Sequence, residues 1–241
     1  MAVLIKRGET IMKSKYKIFL AIPAFLMTMA GDYLIGYEPW DVEPLGLIAD
    51  TGWLTIADWR IALSNLLGAA AVPLYFVAAK EFLCLLDAQN PKGNDKGTDR
   101  FLWLFRIGNY AGILSFVFIH IACGLLILQF NAAYEMMGNA DMAMELDLRI
   151  FRAEAIPFFV YFVAADLFTT IGWIGLVVKR AIPLSKVWIL ASPLVMTLIG
   201  QVFSILPIGF KGIDSGFESL GWMFMFIAAE KYAQRMEKHT T

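Results

Sequence analysis

Two aspartates and a histidine stand inside apolar runs where ionisable groups are costly. Asp166 falls in YFVAADLFTTIGW, residues 161–173, Asp32 in the run 18–37, and His120 in the run 101–130. An ionised aspartate at the centre of a membrane-spanning helix costs roughly 2.5 to 3.5 kcal/mol on insertion scales, so it must face protein, a cavity or a partner. Two carboxylates and an imidazole could bind a cation, relay protons or act as acid and base. Asn65, Gln201 and Glu218 complete the candidate ligand-binding set, one polar group for each remaining apolar run. A structural role competes with the functional one. Asn and Gln commonly hydrogen-bond between membrane helices, at about 0.6 kcal/mol on average, and a glutamate at a helix end is readily solvated.

Other chemistries lack residues to carry them. The chain has two histidines, His120 and His239, too few for a histidine-rich zinc or haem site. No GxSxG elbow or Walker loop occurs, which argues against hydrolases and ATPases of those kinds. The lysines lie in loops or at the ends of apolar runs, so a retinal-type Schiff base has no candidate. Mixed carboxylate and histidine ligands could hold a divalent ion, but no spacing is diagnostic. No metal or other cofactor is assigned. Cys84 and Cys123 form no CxxC pair and read as buried spacer thiols.

The elements that must shelter these groups follow from composition. A chain of 241 residues that is 59% hydrophobic, 17% charged and has a mean hydropathy of +0.64 is too apolar for a soluble domain of its size. The bilayer is its expected solvent. A net charge of -1 without a basic stripe excludes a nucleic-acid partner. The expected fold is all-α, a polytopic bundle of six transmembrane helices at 18–37, 59–86, 101–130, 156–178, 187–206 and 217–232. A short amphipathic surface helix, residues 131–155, is expected between the third and fourth, because its apolar positions recur at helical spacing among acids and arginines.

Between the first two spans, EPWDVEPLGLIADTGWLTIADW, residues 38–59, combines tryptophans, prolines and acids, which suits the membrane surface. Residues 1–17 form a basic N-terminus and 233–241 a tail, both cytoplasmic, flanking the transmembrane domain 18–232. Thr28-Met29-Ala30 resembles a signal cleavage site, yet the apolar run resumes after Asp32 as YLIGY, which favours an uncleaved helix. With this topology sixteen of the 20 lysines and arginines are cytoplasmic and only Arg60, Arg149, Arg152 and Lys211 lie outside, a strong positive-inside asymmetry in an inner (cytoplasmic) membrane. The pentapeptide YFVAA occurs at 75–79 and 161–165, and MFIAA at 225–229, but their depths differ, so they do not mark a repeat.

Depth then groups the polar residues. At about 1.5 Å per residue, Asp32 lies roughly 7 Å outward of the middle of its span, Asn65 about 9 Å, His120 about 7 Å and Gln201 about 6 Å, with Asp166 near the midplane. Glu218 opens the sixth helix. The expectation is one polar cavity, open outward, shared by Asp32, His120 and Asp166, that binds or transports a small molecule or ion. Two alternatives stand beside it: a membrane enzyme acting on an outer-leaflet lipid with a His120–Asp acid-base pair, and a non-catalytic partner subunit with acidic outer loops.

Overall fold

A computed structural model of the chain describes residues 14–38, 43, 45, 49–90, 93, 95–206 and 211–238. Most of the basic N-terminus, Trp40 in the acidic loop, residues 207–210 between the fifth and sixth expected spans, and His239 lie outside the described residues. Among the described residues the chain is all-helical, with isolated bridge pairing but no strand. A helical run at 14–19 leads into α1 (Ala21–Gly36), and α2 (Asp58–Gln89), α3 (Lys96–Met137), α4 (Ala140–Phe162), α5 (Phe168–Val178), α6 (Pro193–Ile205) and α7 (Phe217–Lys238) follow. Among the described residues four stretches are long and apolar enough to cross a membrane: Ser14–Gly36, Asp58–Gln89, Lys96–Met137 and Ala140–Val178.

Local chemistry sets the boundaries. Asp95 caps α3 by accepting from the Gly97 and Thr98 amides at 3.1 and 3.2 Å, and these bonds with the Thr98 hydroxyl hold its carboxyl below the usual aspartate range. At the other end Gly138 is left-handed, φ 60°, and Asn139 caps α4 by accepting from the Met142 amide at 3.1 Å. Gly138 and Asn139 are thus the whole connection between two long helices.

This hairpin replaces the expected surface helix at 131–155. Residues 131–137 end α3 and 140–155 begin α4, and the two helices pack on each other. A 42-residue helix is about 63 Å long, against about 30 Å of hydrocarbon core. The apolar period that suggested a surface helix instead marks a face buried within the hairpin: Phe130, Ala133, Ala143 and Met144 cluster with Ala49 and Trp53 of the α1–α2 connection.

Two other differences concern the later helices. The expected span 187–206 is broken. Lys186–Leu190 is a 3-10 turn, Ser192 is extended, and α6 starts at Pro193, whose missing N–H suits a first helical position. Its 13 residues cover about 20 Å. The other is the π turn Val163–Leu167 between α4 and α5, which inserts an extra residue where Ala165 and Asp166 are buried. Such turns cluster at functional positions in helices.

The core gathers around aromatic rings. Phe25, Tyr75, Phe116, Trp222 and Phe226, from α1, α2, α3 and α7, meet with neighbouring ring centroids 5.0 to 5.8 Å apart. At one end of the bundle Lys15 pairs with Glu237 at 2.8 Å and Lys17 with Glu81 at 2.9 Å. The opposite end carries the α1–α2 connection, the α3–α4 hairpin and the loop before α7.

Candidate functional site

Asp32 is four residues before the end of α1 and faces two other helices at once. Its Oδ2 accepts from the Ser219 hydroxyl of α7 at 2.7 Å, and its Oδ1 lies 3.5 Å from Nε2 of His120 on α3. The imidazole reaches this position because α2 presents Gly68 to it. A Cβ at Gly68 would stand 2.6 Å from His120 Cγ, so only a glycine lets the helices approach this closely. On the α1 side, Ser64 donates to the Gly31 carbonyl at 2.9 Å, locking α1 to α2 one residue before Asp32.

Asp166 belongs to a second group on the same face of α7. Its Oδ1 accepts from the Trp222 indole at 3.3 Å, and Glu218 stands one helical turn before Trp222 on α7. No N–H or O–H group donates to Asp166 Oδ2, and the residue is 1% exposed. α7 thus carries a donor to each aspartate, Ser219 to Asp32 and, one turn further on, Trp222 to Asp166. Tyr75, its hydroxyl 3.2 Å from Asn109 Oδ1, lies beyond Trp222 in the aromatic core.

Above Asp32 opens a cavity of about 530 Å³. Asp32, Glu38, Trp53, Ser204, Lys211 and Asp214 are among its lining. Lys211 Nζ is 3.7 Å from Glu38 and 3.4 Å from Asp50, tying the two connecting loops together at the rim, where Glu38 and Lys211 also form a backbone bridge. Burial, and then the Asp50 carboxylate, push the Glu38 carboxyl up to about 7 against the opposing pull of Lys211.

The six sequence candidates are distributed as follows. Asp32 and His120 come together, as do Asp166 and Glu218, but Asp32 is the only one of the six among the cavity's described lining. Asn65 faces Gly124 one turn along α3 from His120, and its Oδ1 has no partner. Gln201 is exposed and donates to Asp214 at 2.8 Å, which makes it a rim residue. Of the Asp32, His120 and Asp166 expected to share one cavity, only Asp32 is in its described lining, while His120 faces Asp32 and Asp166 meets Trp222. Sequence reasoning missed Ser219, Trp222, Glu38 and Lys211. The first two were accessible: Trp222 is four residues from Glu218 on one helix face, and Ser219 is its neighbour. The Glu38–Lys211 pairing joins loops 173 residues apart and has no local signature.

Among the described residues no group of three or more His, Cys, Asp and Glu side chains is arranged to hold a metal ion. The fold and site define a helical bundle with membrane-length apolar helices, ionisable groups in its interior and a polar cavity at one end. The chain belongs to DUF6796, a family of unknown function, which matches residues 6–235. No curated protein and no solved structure matches it.

Proposed function

We propose that this is a six-helix inner-membrane protein that binds or transports a small molecule or ion through the cavity above Asp32, with protonation of the buried carboxyls coupled to occupancy. In this reading α6, with the 3-10 turn before it, makes the fifth crossing and α7 the sixth. Both termini are cytoplasmic and the cavity opens outward, as the lysine and arginine asymmetry supports.

One observation carries the proposal: Asp32 lines the cavity while bonded to Ser219 and facing His120. A ligand that touches this carboxylate acts on the Asp32–Ser219 and Asp32–His120 contacts, and through α7 on the Trp222–Asp166 bond. The cavity's volume lies in the range of small-molecule sites, about 300 to 1,000 Å³. The lipid-enzyme reading gains no comparable support. His120 is 5% exposed as a side chain and enclosed by Gly31, Ser64 and Gly68, so an acyl group has no contact with its imidazole.

A thermal-shift screen in detergent tests the reading. Compounds that occupy the cavity should stabilise the parent chain and not Ser204→Trp, in which an indole fills the cavity from an exposed wall position. If every stabilising compound acts equally on both proteins, the cavity is not the binding site.

A further inference from the structure

We propose that the cavity's ligand is a small organic cation, an amine or quaternary ammonium held between Trp53 and the carboxylates of Asp32 and Asp214. This rests on the reading of the cavity as the binding site and names what that site selects.

The lining is unequal in charge. Of the four ionisable side chains in its described lining three are carboxylates, Asp32, Glu38 and Asp214, and the fourth, Lys211, is already engaged by Glu38 and by Asp50 outside the lining. Asp32 and Asp214 have no lysine or arginine within ion-pair distance among the described residues: the first is met by Ser219 and His120, the second by the Gln201 amide. A cleft lined by one sign of charge, with low-dielectric walls, concentrates the opposite charge. An anion would have to draw Lys211 away from two carboxylates before meeting any free positive charge.

Two features favour an organic cation over a bare ion. The cavity is far larger than a metal ion's coordination shell, and no ligand cluster for a metal is present among the described residues. An ammonium carrying alkyl groups can meet carboxylates on one side while its apolar surface meets Ile35, Ile127 and the Trp53 indole. Indole is the side chain that attracts such cations best.

Equilibrium dialysis of the full chain in detergent tests this with three cations, choline, tetraethylammonium and putrescine, against 3,3-dimethylbutan-1-ol, the neutral isostere of choline, and benzoate. At least one cation should bind in preference to both controls, and Asp32→Asn and Asp214→Asn should each weaken it at least about tenfold, as expected for loss of a partner to a desolvated charge. Failure of all three cations to bind overturns the inference. So does cation binding that neither substitution weakens. If benzoate or the neutral alcohol then binds the parent chain but not Ser204→Trp, the cavity remains the binding site and only the ligand class is wrong.

Discussion

Asp32, half-buried, and Asp166, buried, each accept one hydrogen bond from α7, from Ser219 and Trp222, yet they differ in what happens when that donor is removed. Asp32 borders the cavity, so water can replace the Ser219 hydroxyl, and Ser219→Ala should cost about 1 kcal/mol, the low end for an unsatisfied acceptor. Asp166 is 1% exposed, and Trp222→Phe strands it and removes core volume as well, at about 3 kcal/mol. Denaturant unfolding in detergent should rank the two variants in that order, and the reverse ranking would contradict the depths assigned here. Glu38 supplies a pH-dependent counterpart. Its folded-state value of about 7 exceeds the ordinary 4.5, so the folded chain holds the proton more tightly than the unfolded one. The stabilisation it gives is complete below pH 4.5 and is lost as pH rises through 7. Glu38→Gln abolishes this titration, so its unfolding midpoint should fall less than the parent's between those two pH values; parallel curves would show that Glu38 is not buried against Asp50.

At the scale of elements, hydropathy made the first four apolar segments legible because lipid-facing and buried residues are both apolar. It could not place their ends. The amphipathic period at 131–155 was real, but its apolar side packs within a hairpin, and only Gly138 and Asn139 distinguish that turn from a continuous surface helix. The π turn at Asp166 had no sequence signal; its contacts are long-range, against α3 and α6 and through the Trp222–Asp166 bond to α7. Pro193 was the legible warning that the span 187–206 would break. Of the site, the sequence exposed the buried ionisable residues but not their grouping, because depth along a helix leaves rotation about its axis undetermined. Two glycine substitutions separate these levels. Gly68→Ala brings a Cβ within 2.6 Å of the His120 ring and should cost about 1 to 3 kcal/mol by overpacking while disturbing the Asp32 contact. Gly138→Ala, in open space but at positive φ, should cost about 1 to 2 kcal/mol and leave ligand binding unchanged. Thermal unfolding paired with a binding assay reads both effects.

For the whole molecule, the proposed cation site and the proposed orientation, with acidic loops outside and a basic face inside, make one arrangement. The end of the bundle with Lys15, Lys17, Lys179 and Arg235 is the one a positive-inside orientation holds in the cytoplasm, and the hairpin tip at Gly138 then projects outward. Single cysteines at Asp141 and Gly93 should react with impermeant reagents from opposite sides of the membrane. Reaction of both from one side would remove the odd number of crossings between them.

The central claim is that the cavity above Asp32 is an outward-open, cation-selective site, and one labelling measurement addresses it. In a chain with Cys84 and Cys123 replaced by alanine, Ser204→Cys places a thiol on the cavity wall. Spheroplasts carrying it are treated with the trimethylammonioethyl and sulfonatoethyl methanethiosulfonate reagents, which react alike but carry opposite charge. The thiol should react from outside, with the cationic reagent faster by about tenfold as expected for a charged cleft, and Asp32→Asn should shrink that preference. A thiol that reacts only after the membrane is permeabilised, or equal rates that Asp32→Asn leaves unchanged, would contradict the account.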